Sequence, residues 1–344
     1  MAASLTRGDR APDMVLPSGD GTPTRFYGHA GGRPALLLVA DESSGAALQS
    51  LAAALEGLGD DELSVHVVGP DSVGRVGLPF TFLRDVDGRV ARAYQTEGAP
   101  TAFLLDRNLR VRASLPLADD GAVARAVSDL LRDVAWDLDM TREIATQAPL
   151  LMVPDVLDSE QCETLVRVWR DEGHHQTGVE AFAAGGRAEQ ITDAVKRRAD
   201  HIVADPKRSR EIAAIVGRRV MPELVRAFAY RATRFEGFKI ACYEASDGGF
   251  FSAHRDNLSP ATAHRRFALT LNLSDDYQGG QLRFPEYGPE LYRPATGAAL
   301  LFSCSLLHEV RAVTAGRRFV LLSFLFGDDP PHAPAAARKD APAP

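Results

Sequence analysis

The chain has 344 residues, 45% hydrophobic and 25% charged, an ordinary composition for folded protein with room for about two domains of roughly 150 residues each. A formal charge of −7 with no basic stripe argues against nucleic acid or an anionic membrane as partner, and no run approaches the ~18 apolar residues of a spanning helix. Cys162, Cys242 and Cys304 are well separated, with no CxxC pair, and the N-terminus lacks a signal-like apolar run, which makes a reducing cytoplasm the default location.

In chain order, Pro34 to Ala40 reads as a buried strand, Ala46 to Leu58 as a helix, and Leu63 to Val68 and Ala102 to Asp106 as further strands. Asp106 to Arg110 is a turn into another short strand, and Gly121 to Ala135 is an amphipathic helix. Such alternation predicts an α/β layer over residues 1–135, followed by a linker at 136–147. The second half opens on a short strand, Pro149 to Pro154, then a helix start capped by Ser159 and a helix from Ser209 to Ala229. From there the pattern is β: Phe238 to Tyr243, Phe250 to His254, Phe267 to Leu273, Gln281 to Phe284, Ala298 to Phe302 and Phe319 to Phe326. Gly-containing turns between these runs predict a jelly roll over 148–327, and residues 328–344 read as a disordered tail. The whole is an α+β two-domain chain.

Chemistry concentrates in this β region. His254-Arg255-Asp256 offers an imidazole and a carboxylate at i and i+2, which share a face on a strand, and His308 brings a second imidazole from a later strand. Two imidazoles and one carboxylate are a ligand set that suits iron(II) and leaves positions open for substrate and oxygen. Arg318 or its neighbour Arg317 could hold a carboxylate through two parallel hydrogen bonds, with Tyr243 adding a third. His264, Arg265 and Arg266 read as solvated loop residues, and Asn257 as either a support for Asp256 or a turn former. The aperiodic stretch from His174 and His175 to Arg187 reads as a plain loop, with a lid over substrate as the rarer option; Arg283 and Tyr287 are candidates for substrate contact at the barrel mouth.

The segments Ala241-Cys-Tyr243, Phe250 to Asn257, Leu271-Asn-Leu-Ser274, Gly279 to Phe284 and His308 to Arg318 together resemble the prolyl 4-hydroxylase-type 2-oxoglutarate/iron(II) dioxygenases, over about Ala148 to Gly327. The resemblance implies a double-stranded β-helix with His254, Asp256 and His308 on iron. It implies Arg318 on the distal carboxylate of 2-oxoglutarate, with Tyr243 as hydrogen-bond partner and Thr270 at a position where the family often has tyrosine. Parity along the strand leaves Arg317 and Arg318 open, because Gly316 interrupts it; the family spacing points to Arg318. The implied cofactors are Fe(II), 2-oxoglutarate and O2, with ascorbate as an optional addition. The implied activity is hydroxylation, or a related desaturation, of a prolyl or other peptidyl side chain or an amino-acid-like small molecule, coupled to decarboxylation of 2-oxoglutarate to succinate and CO2. A carboxylate at Asp256 disfavours halogenation, which needs that coordination position for chloride. The alternative is a non-catalytic binding or sensor protein responding to iron, oxygen or 2-oxoglutarate.

Gly8 to Asp13, Ala35 to Ala40, Leu83 to Tyr94 and Gly98 to Asp106 resemble a peroxiredoxin-like thioredoxin fold, with Pro100 where that fold carries a cis-proline. Where the attacking cysteine belongs, the chain reads Asp41-Glu-Ser-Ser-Gly45, and no cysteine precedes Cys162. Peroxide reduction needs a thiolate. The first half is therefore expected to be non-catalytic, with docking, stabilisation or homodimer formation as its open roles.

Overall fold

A computed structural model of the chain describes residues 4–74, 77–96, 98–134, 143–183, 186–190 and 194–328. The chain divides into two compact units, Met1–Arg142 and Glu143–Pro344. Most of the expected linker, and all of the expected tail after Asp328, lie outside the described residues. No helix among the described residues is long and apolar enough to cross a membrane.

The first unit is built on a mixed sheet. Strand Ala35–Val39, buried at every residue, lies in its centre, parallel to Ser64–Gly69 and antiparallel to Thr101–Leu105. Thr81–Arg84 adds a parallel edge and Val111–Pro116 an antiparallel one. Leu36 and Leu38 face the helices Gly45–Ala54 and Asp120–Val134, while Leu37 and Val39 pack with Phe26, Tyr94 and Phe103 on the opposite side, so both faces bury apolar side chains. The expected helix from Ala46 to Leu58 ends at Ala54. No cis peptide occurs among the described residues, so the Ala99–Pro100 bond is trans, contrary to expectation.

The second unit sets two antiparallel sheets face to face. The larger contains Leu150–Val153, Ala299–Ser303, Phe267–Asn272, Val313–Phe326, Lys239–Glu244 and Ala199–Ile202, in that spatial order, with His175–Gln176 at its edge. The smaller runs through Lys196–Arg197, Phe250–His254, His308–Val310, Leu282–Arg283 and Leu291–Tyr292. Period-two alternation sorts the larger sheet's side chains. Leu269, Leu271, Leu301, Phe319 and Leu321 pack outward with Trp169, Ile212 and Leu224 of the helices, whereas Ala241, Tyr243, Leu300, Phe302 and Val320 face inward against Leu282, Phe284 and Val310.

Three local expectations change. Helix Ser159–Asp171 is capped by Asp158, not Ser159: Gln161 N donates to Asp158 Oδ1 at 2.8 Å and Asp158 N to Gln161 Oε1 at 3.0 Å. The helix expected from Ser209 to Ala229 is two, Pro206–Arg219 and Met221–Phe228, because Pro222 has no N–H to continue the ladder. The stretch read as a loop after His174 carries strands His175–Gln176, Val179–Ala183 and Gly186–Gln190, the last two paired with each other as a hairpin.

Candidate metal centre

His254 is the last residue of its strand, and Asp256 lies in the turn beyond it rather than on the strand as expected. The Asp256 N–H donates to Cys304 O at 2.9 Å, which pins that turn to the chain leading to His308. Between Phe251, paired with Val310, and His254, paired with His308, the register slips by a bulge. The extra residue re-aims the strand so that His254 faces His308 directly, a common use of bulges beside functional sites.

One donor atom from each of His254, Asp256 and His308 lies within 4.8 Å of the others. His254 Nε2 is 3.5 Å from Asp256 Oδ1, and His308 Nε2 is 3.4 Å from Oδ2. Each Nδ1 meets the carbonyl two residues earlier, Ser252 O at 2.8 Å and Leu306 O at 3.0 Å. A carbonyl only accepts, so this network assigns the proton to each Nδ1 and leaves each Nε2 lone pair aimed at the shared point. Burial pushes the His308 imidazole below its usual range despite the pull of Asp256. For Asp256, burial pushes upward, but His308, His254 and Arg265 together outweigh it, holding the carboxyl below its usual value. Two imidazole nitrogens and a carboxylate converging on one point fit a divalent first-row cation with open positions. Phe251 stacks on His254 at 3.6 Å between centroids and Phe302 lies 4.5 Å from His308, so aromatic walls keep water from much of the site.

The residues around the triad brace it. Arg255, between two of the triad residues, reaches Glu286 at 2.6 Å, and Glu286 also accepts from Leu307 N at 3.1 Å, just before His308. His264 and Arg265 are only partly exposed and both bind Glu236, at 2.9 and 2.7 Å, and Arg265 Nη1 donates to Asp256 O at 3.3 Å. Arg266 donates to Ala263 O at 2.9 Å. Asn257 Nδ2 donates to Ser305 Oγ at 2.8 Å, so it ties the same two chain segments together from beside Asp256.

Register separates the two arginines. Arg318 pairs across the strands with Tyr243 and shares the inner face, 3% exposed, while Arg317 points outward to Glu244 at 2.7 Å. Arg318 Cζ lies 5.3 Å from the Tyr243 ring, and no carboxylate or carbonyl partner for its guanidinium is present among the described residues. Gly280, at φ +68, gives the Arg318 stem its space: a Cβ there would fall 2.9 Å from Arg318 Cδ. Thr270 is also inward-facing but pairs with Leu322, four residues along from Arg318, which is about 13 Å of strand. The structure therefore does not bring Thr270 beside Arg318. Asn272 is nearer, and its side chain is spent on Ser274 O, Pro294 O and the Tyr277 hydroxyl.

Other expected contacts lie elsewhere. Arg283 pairs with Glu309 across the strands, its Nε 3.0 Å from Glu309 Oε1, on the face opposite His308. Tyr287 packs at the edge of the inner cluster. His174 stacks on Trp169 at 3.5 Å, and both it and His175 line a cavity of about 320 Å³ with the outward-facing Cys242 and Glu244. Arg198 and Asp200 escaped notice in the sequence. They form a buried pair beside Tyr243, and only their i, i+2 spacing could have hinted at it.

Residues 238–326 match the 2OG-Fe(II) oxygenase superfamily, a segment that holds Tyr243, the His254, Asp256 and His308 cluster, and Arg318. Among curated proteins, a PKHD-type hydroxylase of Synechococcus sp. (strain JA-2-3B'a(2-13)) is 30% identical over 123 residues, 34% of this chain and 54% of that protein. A PKHD-type hydroxylase of Caulobacter sp. (strain K31) is 39% identical over 84 residues, 23% of this chain and 37% of that protein. The chain thus spans about half the length of the first of these relatives. The viral collagen prolyl hydroxylase vCPH of Paramecium Bursaria Chlorella virus-1 aligns at a TM-score of 0.40 with 15% identity, covering 52% of this chain and 96% of that one.

Proposed function

We propose that the chain is an Fe(II)- and 2-oxoglutarate-dependent dioxygenase that hydroxylates a C–H bond of a peptidyl or amino-acid-like substrate. His254, Asp256 and His308 would hold iron(II); Arg318 and Tyr243 would bind 2-oxoglutarate. The observation that carries this reading is Arg318. Its guanidinium is always charged, is buried on the same inner face as Tyr243, and meets no anion among the described residues. A dicarboxylate that reaches a metal at one end and Arg318 at the other satisfies both demands. The match over residues 238–326 supports the same cosubstrate.

Iron(II) held by these three residues would supply the redox chemistry with O2, one oxygen atom ending in succinate as CO2 leaves 2-oxoglutarate and the other in the substrate's new hydroxyl. This chain's residues bind, orient and shield. The carbonyls of Ser252 and Leu306 hold both imidazoles in the ligating tautomer, Asp256 fills the position a halide would need, and Phe251, Phe284 and Phe302 wall off water. The first unit we read as a thioredoxin-like module without redox activity, on its strand order and on the absence of cysteine before Cys162. The test is succinate release screened over amino acids and peptides. His308→Ala should lower the rate at least about 100-fold, since changes one shell further out already cost 10–100-fold. An undiminished rate in that variant would remove His308 from the site.

A further inference from the structure

Tyr243 is buried, 2% exposed, yet its hydroxyl is only half used. Arg198 Nη1 lies 3.3 Å from Tyr243 Oη. A guanidinium only donates, so the phenol oxygen accepts there and keeps its own proton for another partner. No acceptor for that proton is present among the described residues.

Arg198 cannot swing away. Asp200, 1% exposed, takes its Nε and Nη2 in two parallel bonds of 2.7 Å each. The far side of Asp200 is held by the Thr177 hydroxyl, also at 2.7 Å. Asp200 pairs in register with Ala241, two residues before Tyr243, so the sheet itself sets the spacing. Arg198 Cζ stands 5.7 Å from the Tyr243 ring and 5.9 Å from that of Phe251, the residue stacked on His254. Two guanidiniums therefore flank one tyrosine, and only that of Arg198 has its counter-ion built in.

We infer that Arg198, clamped by Asp200, is a positioning residue that fixes the Tyr243 hydroxyl as a hydrogen-bond donor toward 2-oxoglutarate. The inference rests on the 2-oxoglutarate reading above. Because Asp200 neutralises Arg198, that guanidinium does not compete with Arg318 for the keto acid's carboxylate. Its work is done through the phenol: it occupies the oxygen's acceptor side, so the proton points into the inner space before ligand arrives.

Calorimetry of 2-oxoglutarate binding to the Mn(II)-loaded full chain tests this without turnover. Tyr243→Phe and Arg198→Lys should each weaken binding about tenfold, the scale of one buried hydrogen bond. Arg198→Lys introduced into the Y243F background should add less than about twofold, because the group it positions has gone. Asp200→Asn, which removes the clamp's charge while keeping its shape, should show the same dependence on the Tyr243 hydroxyl, and thermal melting checks that each variant is folded. Equal losses in both backgrounds, or no loss from Arg198→Lys, overturn the inference. Binding destroyed by Arg318→Ala but untouched by Arg198→Lys overturns it alone. A parent protein that binds no 2-oxoglutarate, with Arg318→Ala indistinguishable from it, overturns the cosubstrate reading and this inference together.

Discussion

The start of helix Gly45–Ala54 in the first unit and the inner face around Arg318 in the second are both places where polar groups gather, and they end differently. At the helix start, the position that resembles a redoxin's thiol site, the Asp41 carboxylate accepts from Ser43 N at 2.9 Å, Ser43 Oγ at 2.6 Å and Ser44 Oγ at 3.1 Å. Those bonds, the Ser43 hydroxyl foremost, hold its carboxyl below the usual range. The site is closed by its own chain. Around Arg318 the fold has gathered a permanent cation, a phenol proton and two imidazole lone pairs, and has left them facing inward. A ligand site is marked by what the fold positions without satisfying.

His66 limits that rule. It is buried, with Nε2 2.8 Å from Ser64 Oγ and no partner for Nδ1 among the described residues. Histidine escapes the cost of a buried charge by shedding its proton, so an unmatched ring nitrogen is weak evidence for a ligand. Arginine has no such exit, and an unmatched buried guanidinium is strong evidence.

The comparison can be broken most directly at the paired arginines. Arg318→Ala should raise the Kd for 2-oxoglutarate about 100-fold, whereas Arg317→Ala, losing only a surface ion pair, should change it less than about twofold. Similar losses in a calorimetric titration of the two variants would mean that inward facing decides nothing. A larger test of the first unit, though smaller in expected effect, is acidification. Burial first, then the charges of His29 and Arg33, lower the His66 pKa from 6.5 to about 4. The unfolded chain then binds the proton more readily, so stability present above pH 6.5 is lost as pH falls toward 4, on the order of 3 kcal/mol. Hydrogen exchange of the Ser64–Gly69 amides should show this loss, and His66→Gln should flatten it. The smallest effect is expected at the closed site. Asp41→Ala should cost about 1 kcal/mol of first-unit stability, read by the same exchange, while leaving 2-oxoglutarate affinity unchanged.

Residue type and spacing made His254, Asp256 and His308 legible, because coordination chemistry restricts which side chains can serve and their spacing restricts where they can meet. The central strands of both units were legible from apolar runs for a similar reason, that burial demands apolar side chains on the buried faces, whereas the short strands between His175 and Ile202 were not. The braces were not. Glu236 with Arg265, Glu286 with Arg255, and Arg198 with Tyr243 join positions separated by tens of residues, and a charged pair leaves no periodic trace in either partner.

The amino-acid order by itself determined the candidate metal donors, the absence of cysteine before Cys162 and the β-rich character of the second half, since each follows from side-chain chemistry or local periodicity. Tertiary structure alone decided that Arg318 faces inward and Arg317 outward, that Thr270 stands apart from Arg318, and that Asp256 reaches the triad from a turn. These depend on strand register and on one bulge, and a shift of a single residue in either would send the side chains to the opposite face.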